Sequence, residues 1–340
     1  MLNTLANNPL VSVVTTVYNA ESFLEVTLCS LLAQTFKDFE AIVIDDGSTD
    51  GSADIVQRLA DKDARIRLIR QANQGYSRAV NTGLSAARGP LIAFLDHDDL
   101  WRPEKLQRQV ERLEQDPLAG LVSCYSALLD DKQCCSGWRF GSHASGSVYR
   151  RMRFCDLVAG GSVPLVRREA IERAGNVDAS PAMQGRSDWD MWLRLSRHCR
   201  FTMVEEILVG YVRRPTNYST DYQRMVQAGA AVLVKAAAED PELTGHTLQR
   251  ARARDVFGIF CLSLADGSLA EAAGLLRHSL SISWVPLALA PRRWGILMLF
   301  ALARLLPRAV YTQVWNRVAR LMFGITPGTP FLREPESKSV

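Results

Sequence analysis

The sequence predicts an α/β protein in which a mostly parallel sheet is followed by a helical C-terminal region. Three observations predict it. Short, continuously apolar, β-branched runs alternate with amphipathic segments up to about residue 113, the pattern of a parallel sheet covered on both faces. Acidic clusters stand directly behind two of those runs, where the carboxyl ends of such strands bind ligands. Beyond Pro215 the chain becomes Ala- and Leu-rich with helical spacing.

The first strand is VSVVTTV, after which Tyr18-Asn19 turns and Phe23, Leu24, Leu28, Leu31 and Leu32 recur at helical spacing. Residues 41–44 form the next strand, which ends in DDGSTDGS before Ile55, Val56 and Leu59 resume a helix. Residues 66–69 are a short strand, residues 73–89 a loop and helix closed by Gly89-Pro90, and residues 91–95 a further strand. Pro103 opens a helix as a first-turn residue, with Leu106, Val110 and Leu113 on one face. From about Gly120 to Arg213 the pattern is mixed: a polar loop over 130–147, a turn at Gly160-Gly161, a strand over 163–166 and a helix from near Ser187. The boundaries that follow are 1–115 and 116–215 for two halves built on one sheet, 216–325 for the helical region, and 326–340 (TPGTPFLREPESKSV) for a disordered tail.

With 47% hydrophobic residues in 340, the chain can bury a core. Its net charge of +4 is too mild to predict a nucleic-acid partner. Seven cysteines, an odd count without any CxxC pair, support neither a disulfide framework nor a zinc site. MLNTLANNPL lacks the basic flank and apolar block of a secretory signal, so a cytoplasmic location is expected.

LIAFLDHDDLW places Asp96, Asp98 and Asp99 behind a buried strand, as DDGSTD places Asp45 and Asp46. Carboxylates gathered at one sheet edge repel each other unless solvent or a cation neutralises them. Mg²⁺ and Mn²⁺ suit such oxygen ligands and are commonly held by one or two carboxylates together with phosphate oxygens. The alternative is structural: Asp98-Asp99 caps the following helix and DDGSTD is a solvated turn.

VSVVTTVYNAESFLEVTLCSLLAQTFKDFEAIVIDDGSTDGS and NQGYSRAVNTGLSAARGPLIAFLDHDDLWRPEKL together closely resemble the nucleotide-binding half of family 2 glycosyltransferases, inverting enzymes of the GT-A fold. The likeness is strong over about residues 10–110 and moderate over 160–213. It implies that Thr16 and Tyr18 line the base pocket, with Tyr18 stacked on the base, that Asp46 accepts from a base N–H, and that Asp45 orients the loop. Asp96 and Asp98 match the DxD element, the first beside the ribose or sugar and the second on the divalent cation, Mn²⁺ or Mg²⁺, that bridges the diphosphate. Asn81, Arg78 and Arg88 lie in the matching loop and helix, where an arginine reaches phosphate or base; the likeness does not choose between the two arginines.

QGRSDWDMWLRLSRH, residues 184–198, has a structural reading: Ser187 as N-cap, Asp190 in a capping box, and Asp190 paired with Arg194. That reading leaves Asp188 unexplained. The stretch resembles the family's Glu-Asp element, which makes Asp188 the general base, with Ser187 standing where Glu is usual. His97 is expected to point away from the metal aspartates, Trp189 and Trp192 to be core, and Cys134-Cys135 to be free thiols. Gly160-Gly161-Ser162 either shapes the acceptor cleft or makes a turn.

Residues 284–321 mix apolar runs with arginines; the unbroken run over 294–303 is shorter than the about 20 residues a membrane span needs. The mixture suits a helix lying in the interface of an anionic membrane, or a helical subdomain packed on the catalytic unit or a dimer partner. The expected activity is metal-dependent, inverting transfer of a sugar from a nucleotide-diphospho-sugar to a glycan or lipid-linked acceptor, at the inner face of a membrane and in cell-surface polysaccharide assembly. Two rivals are a sugar nucleotidyltransferase, against which stands the lack of a Gly-rich, Arg-containing loop after the first strand, and an impaired member that binds nucleotide sugar as a regulator, which Ser187 favours.

Overall fold

Every residue of strands β1 (Val11–Val17) and β2 (Phe39–Asp45) is buried, which is why their sequences run apolar without alternation. The protein, as a computed structural model, describes residues 8–214, 217–285 and 291–332. Helices α1 (Leu24–Leu32), α2 (Ser52–Ala60) and α3 (Tyr76–Ala86) connect β1, β2, β3 (Ile66–Arg70) and β4 (Leu91–Phe94). All four strands are parallel, in the order β3-β2-β1-β4. The order reverses at β1, so a crevice opens beyond the carboxyl ends of β1 and β4. Helix α3 lies close over the sheet because Gly83 offers no Cβ to Val14 or Ile44.

The second half adds β5 (Leu100–Trp101), α4 (Lys105–Gln115), β6 (Ala119–Leu129), β7 (Cys135–Phe140), α5 (Tyr149–Met152), β8 (Leu165–Arg167), α6 (Arg168–Ala174), α7 (Ser187–His198) and β9 (Arg200–Val212). It continues the same sheet as β4-β8-β6-β9-β5, with β7 on β6. Here the sheet is mixed: β8 is antiparallel to β4 and β6, and β9 is parallel to β6. Two strands depart from expectation. β7 occupies part of the stretch expected to be polar loop; Cys135, Gly137 and Trp138 are buried, while Ser136, Arg139 and Phe140 are only partly so, which leaves no clean apolar run in the sequence. In β9 the register slips between the pairs Ser123–Met203 and Tyr125–Ile207. The bulge turns Glu205 and Glu206 to solvent, and those two acids interrupt the strand pattern in the sequence.

The helical region comprises α8 (Tyr222–Glu239), α9 (Gly245–Ala265), α10 (Leu269–Ile282), α11 (Pro291–Leu305) and α12 (Arg308–Phe323). Val232, Leu233 and Ala236 of α8 belong to the same core as the sheet, whereas α9 to α12 close a second core around Trp138, Phe260 and Trp315. The tail corrects an expectation. Phe331 is buried, its N–H donates to the Gln133 carbonyl at 3.0 Å, and Cys135 N–H donates to the Thr329 carbonyl at 2.9 Å. Residues 326–332 are thus strapped to the start of β7, and 333–340 lie outside the described residues. No helix among the described residues is long and apolar enough to cross a membrane.

Candidate active site

Five loops meet beyond the carboxyl ends of the first-half strands. Thr16, next to last in β1, is buried, while Tyr18, just past the strand, is 48% exposed. Asn19 takes a left-handed φ of 50°, and its Oδ1 accepts from Thr49 N–H at 2.8 Å. This ties the turn after β1 to the DDGSTD loop after β2. Within that loop Asp45 accepts from Ser48 N–H at 3.0 Å, and Asp50 accepts from Ser52 N–H at 3.0 Å at the start of α2. Part of the motif is therefore turn chemistry.

Asp46 points elsewhere. Its carboxylate accepts from Gln71 Nε2 at 2.7 Å, Gln74 N–H at 3.0 Å and Gly75 N–H at 2.8 Å. It holds the loop that leads into α3, so loop orientation, expected of Asp45, falls to Asp46 as well. The next residue, Tyr76, donates its hydroxyl to Asp96 Oδ1 at 3.1 Å. Adjacent residues, Gly75 and Tyr76, thus contact the β2 and the β4 acidic clusters.

After β4, Asp96 N–H donates to Ser162 Oγ at 2.9 Å, fixing the DHD turn against the Gly160-Gly161-Ser162 loop. A Cβ on Gly161 would stand 3.1 Å from Tyr76 Oη and 3.2 Å from Asp96 Oδ2, so this glycine makes room inside the cleft. Burial first, then the Asp98 charge, raise the Asp96 carboxyl to about 6. Asp99 is buried, and burial with the charges of Asp98 and Asp96 pushes it well above the usual carboxylate range. Asp98 is half-buried and, among the described residues, forms no ion pair.

His97 turns away, as expected. Its Nδ1 lies 2.9 Å from the Thr16 carbonyl, which can only accept, so Nδ1 carries the proton; the ring stacks on Phe23 at 5.7 Å.

Asp188 stands in the first turn of α7, accepting from Trp189 N–H at 2.7 Å. Burial raises its carboxyl, the Arg186 charge opposes that, and Asp96 adds to it. Tyr76 is the meeting point: burial raises its phenol well above the ordinary value, and the charges of Asp96 and Asp188 raise it further. The hydroxyl therefore stays protonated and donates. Asp156, which the sequence did not single out, is raised to about 7 by burial and by Asp188. The capping box is not formed: Arg186 occupies the N-cap and Ser187 is the first helical residue, buried. The Asp190–Arg194 pair is present at 2.9 Å. Trp189 and Trp192 are core residues, at 0% and 2% exposure.

The arginines separate. Arg78, on α3, is exposed and bound to no carboxylate among the described residues. Arg88 donates through Nε to Glu40 Oε2 at 2.9 Å, beside Ser12. Ser12 and Glu40 begin β1 and β2, so Arg88 sits at the amino edge of the sheet, the full length of a strand from the acidic cluster, and the structure does not bring it to the site. Arg214 was missed. Its guanidinium lies 4.2 Å from the centre of the Phe23 ring, and Phe23 carries His97 of the DHD turn. The signal is the pair Arg213-Arg214 directly after an apolar run, illegible because Glu205 and Glu206 break the strand pattern of β9.

Mn²⁺ or Mg²⁺ fits these residues in one way. No group of three or more His, Cys, Asp or Glu side chains among the described residues is placed to cage a metal ion. Asp96 and Asp98 are hard oxygen donors in a cleft of uncompensated negative charge. That is the donor set for a cation brought with diphosphate oxygens rather than held by protein alone.

Comparisons with known proteins bear on the family and the fold. The family model Glycosyl transferase family 2 matches residues 12–151. The uncharacterized glycosyltransferase EpsJ of Bacillus subtilis is 47% identical over 116 residues, covering 34% of this chain and 33% of EpsJ; the likeness thus spans a third of that relative's length. A B. subtilis glycosyltransferase named for teichuronic acid biosynthesis, TuaG, is 34% identical over 188 residues, 55% of this chain and 72% of TuaG. Among solved structures, Staphylococcus aureus TarS 1–349 in complex with UDP-GlcNAc superposes with a TM-score of 0.59 at 16% identity, over 92% of this chain and 90% of that one. The mannosyltransferase PcManGT of Pyrobaculum calidifontis, in complex with GDP-Man and Mn²⁺, gives 0.57 at 21% identity, over 92% and 88%. These two likenesses show the fold, which is of the GT-A kind with C-terminal helices.

Proposed function

Because the chain belongs to glycosyltransferase family 2, we propose that it transfers a sugar, with inversion at the anomeric carbon, from a nucleotide-diphospho-sugar to a hydroxyl of a glycan or lipid-linked acceptor. The setting we infer is cell-surface polysaccharide assembly at the periphery of a membrane. The observation that carries this reading is the Tyr76 hydroxyl, bonded to Asp96 and within reach of the Asp188 charge. It supports placing a donor-side and an acceptor-side carboxylate in one cleft.

In the reaction, Asp188 accepts the acceptor hydroxyl proton as that oxygen forms its bond to the anomeric carbon. The electron pair of the broken bond leaves on the β-phosphate oxygen of the nucleoside diphosphate. A sugar hydroxyl is far less acidic than a carboxylic acid, so proton transfer is late; a base whose carboxyl is raised by burial takes that proton more readily than an ordinary one. Tyr18 offers a face for the base, and Asp46 holds the Gln74-Gly75 backbone that frames it. Asp98, with Asp96, would hold Mn²⁺ or Mg²⁺, which would offset the charge developing on the departing diphosphate. The Mn²⁺ in the PcManGT complex supports this assignment.

The test is a panel of nucleotide sugars incubated with the full chain and Mn²⁺. We expect nucleoside diphosphate release that EDTA stops, and an inverted linkage by NMR once an acceptor is supplied. Retention of configuration rejects the single-base mechanism. Nucleotide-sugar binding without turnover assigns the chain to the regulator class instead.

A further inference from the structure

A surface helix ordinarily turns its apolar stripe to the core and its polar stripe to water. Helix α11 does not. Its exposed positions include Trp294, Met298, Ala301, Arg304 and Leu305, which recur at helical spacing on one face. Trp294 is 56%, Met298 66% and Leu305 80% exposed. The opposite face is anchored, with Leu299 in the second core and Phe300 edge-on to Phe260 at 5.5 Å. The helix is therefore packed in place while presenting a bare apolar surface. Trp284 after α10 is 65% exposed, and Leu321 on α12 is 86% exposed.

Charge specifies what covers that surface. Between Leu269 and Leu332 the chain carries seven arginines, one acid (Glu271) and no lysine. Arg317 and Arg320 share the exposed side of α12 with Leu321, and neither forms an ion pair among the described residues. A second copy docked through the same face by two-fold symmetry would set these arginines against each other. An anionic lipid surface satisfies both properties: acyl boundary for the apolar groups, phosphates for the guanidiniums.

We propose that the outer faces of α11 and α12 are a docking surface for an anionic bilayer, in which Trp294, Met298 and Leu305 enter the headgroup boundary and Arg304, Arg317 and Arg320 meet lipid phosphates. Tryptophan suits that boundary because its ring is apolar and its N–H is polar. The proposal deepens the membrane-periphery part of the functional reading, on which it rests, and specifies lying on the membrane rather than spanning it.

The experiment is co-sedimentation of the full chain with vesicles of phosphatidylcholine alone or mixed with phosphatidylglycerol. We expect binding only to the mixed vesicles, weakened by salt. Trp294→Ser, Met298→Ser and Leu305→Ser combined should lower binding at least about tenfold, and Arg317→Gln or Arg320→Gln about fivefold each. All five positions are exposed, so circular dichroism melting and donor turnover without vesicles stay unchanged. Equal binding to both vesicle types, or a triple variant that binds like the wild type, overturns the proposal. So does a triple variant that loses only self-association in light scattering, which makes the face a contact between copies. Turnover without vesicles keeps the two readings apart: its absence with vesicle binding intact rejects the catalytic reading alone, and the converse rejects the docking surface alone.

Discussion

Asp156 is the residue whose charge the fold tolerates least near Asp188. Burial and the Asp188 charge hold it at about 7, against about 3.9 in an unfolded chain. The folded state binds that proton more tightly, so stability falls as pH rises from about 4 to about 7 and stays lower above it. Asp156→Asn keeps the acceptor for Val158 N–H, now 2.9 Å from the carboxylate, and removes the charge. Its melting temperature should exceed that of the wild type at pH 8 and converge with it near pH 4; equal gaps at both ends contradict the assignment. Asp188 gives a kinetic counterpart. It must be ionised to act as base, and its carboxyl is raised. The acid limb of kcat against pH should therefore be shifted upward from that of a free Asp and vanish, with kcat lower by about 10²- to 10⁴-fold, in Asp188→Asn.

At the scale of elements, two glycines set how closely the site's walls approach. Gly161→Ala puts a methyl 3.1 Å from Tyr76 Oη and 3.2 Å from Asp96 Oδ2, and should impair turnover while leaving the melting temperature nearly unchanged. Gly83→Ala drives a methyl from α3 into Val14 of β1 and should destabilise by about 1–3 kcal/mol. Steady-state kinetics with thermal melting measure the first, and denaturant midpoints the second. The same elements show what a sequence can disclose. β1, β2 and β4 are legible because burial on both faces leaves unbroken apolar runs. The acidic clusters are legible because they follow those runs. β9 is not, since the bulge that exposes Glu205 and Glu206 breaks its pattern, and with it went Arg214. Arg88 was misplaced for a related reason: its nearness in sequence to β4 says nothing of which end of the sheet it caps, and its partner Glu40 lies 48 residues earlier. Ser187 failed as a cap because capping needs a non-helical residue and Ser187 is already in the helix.

Across the whole molecule, the helical region is wired into the catalytic half by buried charge. Arg186, at the head of α7, pairs with Asp255 of α9, and the side chains are 14% and 5% exposed. Arg213 after β9 pairs with Asp266, and Lys235 of α8 with both Asp178 and Asp190. Gly229 of α8 leaves the space Asp255 occupies. Losing one partner strands the other charge, so Asp255→Ala should destabilise by about 3 kcal/mol. Because α8 shares the sheet's core, it should do so in a single cooperative transition seen alike by fluorescence and circular dichroism. Two separate transitions would mean that the helical region folds alone.

The central claim is that two sets of carboxylates do separate work in one cleft. Titrating UDP and GDP, with and without Mn²⁺, into the wild type, Asp98→Asn and Asp188→Asn, alongside turnover of the matching nucleotide sugar, tests it most directly. The account predicts turnover lost in both variants and Mn²⁺-dependent nucleotide binding lost in Asp98→Asn alone. Turnover that survives in Asp98→Asn, or nucleotide binding that fails equally in both, contradicts it.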